Sequence, residues 1–550
     1  MDLFDRHRTT LDKALEAIRT REYWSPFPES PRAYAESAPE EGEAAFRARL
    51  GRRFDLDQAA GSWSAGDESS PLGIPLGIEY PRSSAGSLLD AAAAAAPSWA
   101  AATPADRAGV CLEILDRLSK QSFEMGYAVM HTTGQAFLMA FQSGGPHALD
   151  RGLEAVAYGY HEMSRLPGAV RWEKPQGKRD PIVIDKTWRI RPRGVAVALG
   201  VSTFPTWNGY PGIFASLVTG NPVIVKPHPA TILPLAVFVE AARIVLTEAG
   251  FDPDTVLLAV DSAASPIARD LVMDPRVGIV DYTGGPVFGS WLEENVTHAE
   301  VFTEKSGVNS VVIDSAPDLK GVFRNLSVSL TMYSGQMCTT PQNVYVPRDG
   351  IDVGGRHTSF DDVAGGLARA IGGLLADDDR AADLLGSIKA DATVSRISEA
   401  TALGRVLLES RDVAHPTYPG ATVKTPVLVA VDAADESAYM REMFGPVSFV
   451  VATDSTEQSL ELAKRSARER GAITWLVYTT DDGVAAAAEE AAVEAGVSVA
   501  FNLVGGLFVN QPAAFSDFHV TGANPAGNAS LTDPAFVANR FRVVGVRRSL

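Results

Sequence analysis

The sequence is poor in cysteine, with only Cys111 and Cys338 among its 550 residues. So few thiols exclude a disulfide framework and a zinc site built from four cysteines. The nine histidines form no HxxxH or HExxH pair, so the sequence offers no metal-binding motif of that kind either. Such sparse cysteine usage is typical of a reducing compartment, and we expect a cytoplasmic protein without a metal centre.

Long apolar runs and an excess of positive charge are also missing. No stretch of about 18 uninterrupted apolar residues occurs, so we expect no membrane-spanning helix. The N-terminal stretch MDLFDRHRTTLDKALEAIRT is charged throughout and lacks the apolar centre of a signal peptide. A net charge of −18 disfavours binding to nucleic acid, because contacts to phosphates require a basic surface.

The sequence does contain two blocks in which short β-branched runs alternate with helical patterns. The first block covers residues 188–314 and includes GVAVALG and NPVIVKP, and the second includes TPVLVAV and ITWLVYTTD. Strands that alternate with helices of this length predict an α/β fold with βαβ units and parallel sheets. Before the first block, residues 1 to about 60 read as a helical extension and residues 59–73 as a loop.

A helix is expected to begin at Pro104, because proline is favoured at the first helical position and Thr103 can serve as the N-cap. Cys111 falls inside this helix among Val110, Leu112 and other apolar residues. A free cysteine in such a setting packs as a small apolar side chain. We therefore interpret Cys111 as a buried structural thiol.

Two strand ends carry residues that could bind a nucleotide. In DYTGGPVFGS, three glycines (Gly284, Gly285 and Gly289) lie between a strand and a helical run, where backbone amides can face a phosphate. An ordinary turn explains such glycines at least as well. In NPVIVKP, Lys226 lies at the C-terminal end of a strand, where open α/β sheets bind ligands, although a solvated lysine fits the pattern equally well.

The stretch SGQMCTT raises the question whether Cys338 is a core thiol or a nucleophile. Glu304, in VFTEKSG, precedes it by 34 residues, and Glu442 and Phe444 follow in REMFGPV. Together with neighbouring motifs these residues resemble the aldehyde dehydrogenase superfamily over roughly residues 85–510. The motifs that carry the resemblance occur in the family's order: STFPTWNG, GNPVIVKP, YTGG, EKSG, GQMC, REMFGPV and VSVAFN.

The resemblance implies a role for each matching residue. Cys338 would be the catalytic thiol, which adds to the aldehyde and later carries the acyl group as a thioester. Glu304 would be the general base that activates water for hydrolysis of the thioester. Among the cofactor-binding residues, Glu442 would hold the nicotinamide ribose beside Phe444, Lys226 would hold a ribose or phosphate, and Gly284 and Gly289 would line the pyrophosphate.

The sequence departs from the family pattern at the expected oxyanion site. Thr203 stands where the family places an asparagine that stabilises the oxyanion. A threonine hydroxyl can donate one hydrogen bond, and Asn208, five residues later, is a second candidate beside the backbone N–H of Cys338.

A second departure concerns the choice of cofactor. NAD-preferring members have a glutamate three residues after the lysine, where this chain has Pro229 preceded by His228. Without that carboxylate, Lys226 and His228 could attract a 2′-phosphate, which favours NADP over NAD. Two further differences are Gly285 in place of a frequent serine and the stretch FSDFHVTGANPAG in place of the family's PFGG loop, which we interpret as a difference on the substrate side.

The N-terminal stretch and the segments STFPTWNGYPG and VNQPAAFSDFHVTGANPAGNAS resemble the PaaN type of phenylacetic acid degradation protein. This resemblance implies a CoA-linked semialdehyde from ring cleavage as the substrate. Two alternatives stay open: a CoA-acylating aldehyde dehydrogenase, against which the presence of Glu304 argues, and a non-catalytic nucleotide-binding scaffold.

The resemblance also implies the domain organisation. We expect an N-terminal extension (1–60), a Rossmann-like nucleotide-binding domain (61–302) with a bridging hairpin at about 175–192, a catalytic domain (303–510) and a C-terminal oligomerisation segment (511–550). An exposed apolar hairpin is an open sheet edge that a partner can cover. The expected assembly is a homodimer or a dimer of dimers.

Overall fold

The computed structural model describes residues 2–509, 514–516 and 519–549. The N-terminal extension contains two helices, α1 (Leu3–Thr20) and α2 (Ala38–Arg49). The buried side chains of α1 lie on one face, at the spacing that an amphipathic helix requires, and they are Phe4, Leu11, Ala14 and Ala17. They share a core with helices much further along the chain, so the extension is an integral part of the fold.

A short antiparallel pair of strands, β1 (Ser62–Ser64) and β2 (Tyr80–Arg82), follows the extension and begins inside the predicted loop. Five helices come next: α3 (Ala85–Ala101), α4 (Pro104–Lys120), α5 (Ser122–Thr133), α6 (Phe137–Gly144) and α7 (Pro146–Ser164). The predicted start of α4 is confirmed, since Thr103 and Asp106 form a capping box ahead of Pro104. Cys111 is fully buried in α4, as expected.

An antiparallel hairpin separates these helices from the first large sheet. Its strands are β3 (Ala169–Gln176) and β4 (Arg179–Pro192), so the hairpin begins six residues earlier than the predicted 175. Nearly every residue of β3 is exposed. Residues 170–173 (VRWE) do alternate between apolar and polar types, which is the pattern of a strand, so the earlier start of the hairpin could have been predicted from the sequence.

The first α/β block forms a five-stranded parallel sheet. Its strands are β5 (Val195–Leu199), β6 (Val223–Lys226), β7 (Val256–Leu258), β8 (Val277–Gly284) and β9 (Glu300–Lys305), in the order β7-β6-β5-β8-β9. The helices are α8 (Pro205–Val218), α9 (Leu233–Glu248), α10 (Ala268–Val272) and α11 (Pro286–Asn295). The strand order reverses at β5, and parallel sheets bind ligands at the carboxyl ends of the strands on either side of such a point.

The second block forms a seven-stranded sheet, parallel except for its first strand. In spatial order the strands are β15 (Arg405–Leu408), β18 (Val427–Asp432), β19 (Val447–Thr453), β12 (Pro341–Pro347), β10 (Asn309–Ile313), β20 (Thr474–Tyr478) and β21 (Ser498–Phe501). Minor strands are β11 (Ser315–Ala316), β13 (Ile351–Val353), β14 (Arg356–Thr358), β16 (Asp412–Val413) and β17 (Val423–Lys424). The helices are α12 (Leu319–Thr331), α13 (Phe360–Leu374), α14 (Asp378–Leu385), α15 (Asp391–Ala400), α16 (Glu436–Tyr439), α17 (Thr456–Arg470) and α18 (Asp482–Ala495).

The chain ends by returning to the hairpin. After α19 (Pro534–Ala538), strand β22 (Phe541–Ser549) pairs with β4 to give a three-stranded antiparallel sheet in the order β22-β4-β3. Between α19 and β22, the buried Arg540 donates hydrogen bonds to both carboxylate oxygens of Asp281 on β8, the longer at 2.6 Å. The C-terminal segment is thus anchored to the five-stranded sheet. Within the described part of the chain, no helix is both long and apolar enough to span a membrane.

Candidate active site

Cys338 lies in a tightly constrained loop between α12 and β12. Earlier in this loop, Tyr333 and Ser334 both adopt left-handed backbone conformations, with φ of 51° and 50°. Such strain persists only where the surrounding structure enforces it, and it is often found at functional sites. Asn309 of β10 fixes the far end of the loop, because its Nδ2 donates to the carbonyl oxygen of Cys338 at 2.7 Å.

Glu304 projects from the edge strand β9 towards this thiol. Its Oε1 accepts hydrogen bonds from Nδ2 of Asn208 and from Nε2 of His519, each at 2.7 Å. Glu304, Cys338 and His519 each contribute one polar atom to a cluster in which all three atoms lie within 4.8 Å of one another. The structure thus brings together the two reactive residues expected from the sequence and adds a histidine that the sequence analysis did not identify.

His519 was missed because nothing in its local sequence marks it as functional. It lies in the stretch FSDFHVTGANPAG, which the sequence analysis treated only as a difference on the substrate side. That replacement of a family motif was the available signal. The side chain packs edge-on against Trp207, with ring centres 4.6 Å apart, and it is buried.

The charges around Glu304 keep it ionised. Burial alone would raise the pKa of this carboxyl, but His519, Arg151 and the hydrogen bond from Asn208 outweigh burial and lower it. For Cys338, burial and the neighbouring Glu304 carboxylate raise the pKa of the thiol, and Arg151 offsets this only in part. At neutral pH the resting site therefore holds a carboxylate beside a protonated thiol.

Arg151 of α7 is a second residue that the sequence did not single out. Its guanidinium lies 3.8 Å from the ring centre of Trp207, a cation–π contact, and burial lowers its pKa. Its Nε has no hydrogen-bond partner among the described residues. Arg151 and His519 thus pack against the same indole ring, which places a fixed positive charge near Glu304.

A cavity opens onto the thiol of Cys338. The apolar part of its wall is formed by Met139, Phe204, Trp207 and Met337. The polar part is formed by Gln142, Ser143, His147, Asn208, Thr339 and His519. Apolar walls with a few convergent polar groups are typical of a site for a small organic molecule. A second cavity adjoins Glu304 and is also lined by Asp150, Arg151 and Glu154.

The two expected oxyanion donors are placed differently. Asn208 lies in the first turn of α8 rather than in a loop, and it lines the cavity with Cys338 while it hydrogen-bonds to Glu304. Thr203 is not among the described residues that line this cavity, and its carbonyl oxygen accepts a hydrogen bond from Nε2 of Gln135 at 2.7 Å. Asn208 and Cys338 therefore line one cavity that Thr203 does not line, and the identity of the oxyanion donor stays a prediction.

A contact at the Lys226 end of β6 changes one premise of the expected preference for NADP. That argument assumed that no carboxylate remains at this site, but Nζ of Lys226 lies 2.7 Å from Oδ1 of the buried Asp261. His228 as a whole is exposed. Protein atoms that surround its ring nevertheless lower the pKa of the imidazole, the positive charges of Lys389 and Lys226 lower it further, and the ring is therefore neutral at pH 7. The sequence argument considered only the residue three places after Lys226, and the choice between NADP and NAD stays a prediction.

The turn between β8 and α11 fits a phosphate-bearing cofactor. Gly285 precedes this ten-residue helix, and no side chain caps the helix end. A Cβ at Gly285 would meet nothing within 4 Å, so the turn faces open space, where a helix N-terminus can bind an anion. Gly284 and Gly289 instead serve packing, because a Cβ at either would collide with Tyr282 or Lys305. Their expected contact with a pyrophosphate stays a prediction.

The remaining cofactor residues lie in the second block. Glu442 accepts a hydrogen bond from Oγ of Ser306 at 2.9 Å, and burial raises the pKa of its carboxyl. The carbonyl oxygen of Phe444 accepts from Arg396 at 2.9 Å, which holds the backbone beside Glu442. Glu442 and Lys226 are suited to bind ribose hydroxyls, and the helix end to bind phosphate. The residues present therefore fit a nicotinamide dinucleotide.

Comparison with known proteins identifies the family. The chain superposes on an NAD-dependent aldehyde dehydrogenase from Burkholderia multivorans with a TM-score of 0.98 and 54% identity, covering 100% of this chain and 99% of that one. A 1-pyrroline-5-carboxylate dehydrogenase from Thermus thermophilus shares the fold, with a TM-score of 0.74 and 18% identity over 96% of this chain and 99% of that one.

Curated relatives are more distant in sequence. The 1-pyrroline-5-carboxylate dehydrogenase of Bacillus licheniformis is 26% identical over 47% of this chain, and the match spans about half (48%) of that relative's length. The fluoroacetaldehyde dehydrogenase of Streptantibioticus cattleyicolor is 23% identical over 77% of this chain and 82% of its own length. The model of the aldehyde dehydrogenase family matches residues 80–511. The chain therefore belongs to the aldehyde dehydrogenase family.

Proposed function

We propose that this protein oxidises an aldehyde to a carboxylic acid with NAD or NADP. The observation that carries the proposal is the approach of one polar atom each of Cys338 and Glu304 to within 4.8 Å of each other, while Cys338 also lines the cavity described above. A thiol and a carboxylate at this separation can share one acyl intermediate, the thiol by holding it and the carboxylate by activating water against it.

The first half of the reaction belongs to Cys338. Its thiol proton passes to the neighbouring Glu304 carboxylate and from there to solvent, and the sulfur attacks the aldehyde carbonyl to give a thiohemiacetal oxyanion. The Cys338 N–H and the amide of Asn208, which lines the same cavity, would donate hydrogen bonds to that oxygen. The bound nicotinamide would accept the hydride from the aldehyde carbon, which leaves a thioester on Cys338.

The second half belongs to Glu304. Because its carboxylate is ionised at neutral pH, it can take a proton from a water molecule as the water oxygen attacks the thioester. The C–S bond then breaks, the acid departs and the proton returns to the Cys338 sulfur. Glu442, Lys226 and the N-terminus of α11 would hold the cofactor while these steps proceed.

The substrate we propose is a CoA-linked semialdehyde from phenylacetic acid ring cleavage. Support comes from the resemblance of the N-terminal and C-terminal segments to the PaaN type and from the apolar side chains in the wall of the cavity that Cys338 lines, which suit an acyl chain. Both NAD and NADP suit the site. The related protein from Burkholderia multivorans is named as NAD-dependent, and the carboxylate of Asp261 weakens the premise for an NADP preference.

Reduction of NAD and NADP, followed at 340 nm, tests the proposal. Wild type, Cys338→Ala and Cys111→Ala would be assayed with a panel of aldehydes that includes a CoA-linked semialdehyde, with and without free CoA. We expect turnover without free CoA in wild type and Cys111→Ala, and none in Cys338→Ala. Turnover that requires free CoA would show the acylating reaction, and binding of cofactor without any turnover would favour the scaffold.

A further inference from the structure

His519 is the one histidine among the described residues that contacts Glu304. Its Nε2 lies 2.7 Å from Oε1 of Glu304, and its side chain is only 7% exposed. With Glu304 ionised, Nε2 must carry the hydrogen and donate it, because a carboxylate can only accept. The hydrogen bond therefore fixes both the tautomer of His519 and the rotamer of Glu304.

The other ring nitrogen of His519 is buried and has no hydrogen-bond partner among the described residues. A buried nitrogen without a partner costs free energy, so its retention needs an explanation. His519 lines both the cavity of Cys338 and the second cavity behind Glu304. The imidazole therefore borders both the cavity of the Cys338 thiol and the polar cavity beside Glu304, where its contact with Glu304 can orient that carboxylate.

From this geometry we propose that His519 is a positioning residue for hydrolysis of the thioester: its Nε2–H holds Oε1 of Glu304 so that the carboxylate accepts the proton of the attacking water. The inference rests on the proposed function and deepens it. During the step the water proton moves to Glu304, the water oxygen bonds to the acyl carbon and the bond from carbon to Cys338 sulfur breaks. His519 gains and loses no atom; it keeps the base ionised and aimed.

The role of His519 differs from that of the groups around it. Asn208 donates to the same Oε1, but it carries no charge and lowers the pKa of Glu304 less than His519 does. Arg151 is charged, yet it acts on Glu304 only through space. His519 both donates a hydrogen bond and favours the ionised carboxylate. The titratable and charged groups that line the two cavities of His519 come from α7, β8, β9 and the Cys338 loop: His147, Asp150, Arg151, Glu154, Asp281, Tyr282, Glu304 and Cys338.

Rapid-mixing kinetics separates hydrolysis from the earlier steps. His519→Leu removes the donor, His519→Gln keeps a neutral N–H, and His298→Gln is a control at a surface site, where His298 contacts only a backbone carbonyl. We expect His519→Leu to release one equivalent of reduced cofactor per site in a fast burst and then to turn over at least about tenfold more slowly than wild type. His519→Gln should recover part of the loss, and His298→Gln should match wild type.

The pH profile gives a readout that a merely structural role would not move. Since His519 lowers the pKa of Glu304, its loss should raise that pKa and move the acid limb of kcat to higher pH. An unchanged acid limb, an unchanged turnover, or a burst slowed as much as the turnover would each overturn the proposal. Thermal unfolding of each variant checks that the fold is retained.

Alkylation of Cys338 by iodoacetamide tests the contact without relying on turnover. The Glu304 carboxylate opposes ionisation of the nearby thiol, so the alkylation rate should show an inflection at the pH where Glu304 titrates. That inflection should lie at higher pH in His519→Leu than in wild type. If wild type reduced no cofactor with any aldehyde, the proposed function would fail, and a shift or its absence here would still decide the role of His519.

Discussion

At the scale of single residues, charged side chains from distant parts of the sequence lie near the candidate site. Asp67 is an example, because the segment after β1 lies against the end of β6. Its backbone N–H donates to the carbonyl oxygen of Pro229 at 2.8 Å, and its carboxylate accepts the N–H of Ala263 at 2.7 Å. A carboxylate is thus present beside Pro229, where the sequence alone indicated none.

We predict that Asp67→Asn shifts the cofactor preference towards NADP. Asparagine keeps the hydrogen-bond acceptor for Ala263 but removes a negative charge that would repel a 2′-phosphate. The ratio of kcat/KM for NADP to that for NAD should rise about tenfold, which corresponds to about 1.4 kcal/mol. Asp55→Asn, at an exposed position of the same extension, should leave the ratio unchanged. An equal ratio in Asp67→Asn and wild type would place the Asp67 carboxylate outside the cofactor site.

The residues that the sequence revealed and those that it did not differ in a physical way. Cys338 and Glu304 occur in local motifs with a recognisable interval, so a linear reading finds them. His519, Arg151 and Asp67 act only through contacts between segments that are distant in the sequence, and their immediate neighbours follow no pattern. A pattern in the sequence reports local geometry, whereas a pKa depends on every charge that folding brings near.

At the scale of elements, the end of α1 is coupled to the loop that carries His519. Arg21, which follows α1 with a left-handed φ of 58°, donates from Nη2 to the carbonyl oxygen of Phe515 at 2.9 Å. The N–H of Phe515 in turn donates to Oε1 of the buried Glu154 at 2.8 Å. Trp24 packs against Phe515, with ring centres 6.4 Å apart. The extension therefore supports the segment just before His519.

We predict that Arg21→Met weakens turnover without removing it. Methionine keeps much of the apolar length of the side chain but loses the hydrogen bond to Phe515, so the loop of His519 should sample more positions. We expect kcat to fall roughly threefold to tenfold, less than in His519→Leu, with the burst retained. Arg19→Met is the matched control, because Arg19 pairs only with Glu16 on the exposed face of α1. Equal kinetics in the two variants would separate the extension from the active site.

At the scale of the whole molecule, the sequence predicted the two α/β blocks but not how the extension joins them. Runs such as GVAVALG and ITWLVYTTD became the buried strands β5 and β20, because a strand covered on both faces is apolar throughout. The extension has only the ordinary pattern of amphipathic helices, which shows that one face is buried but not against what. Its packing into the main core depends on distant helices, and no local pattern reports such contacts.

The last prediction concerns assembly, because the sheet β22-β4-β3 leaves apolar side chains uncovered. Five of these side chains are each between 39% and 47% exposed: Val170, Trp172, Ile182, Val543 and Val544. Apolar residues on a sheet with an open edge are a typical contact surface for a second copy, in line with the homodimer expected from the sequence.

Light scattering after gel filtration should therefore give twice or four times the chain mass of 58.4 kDa. Trp172→Glu combined with Val544→Glu should shift the protein to smaller species, since burying two carboxylates in an apolar contact costs more than the contact can offset. Val493→Glu, at a site 76% exposed on α18, is the control and should not change the mass. A monomeric wild type, or a double variant with unchanged mass, would show that this sheet does not join the subunits.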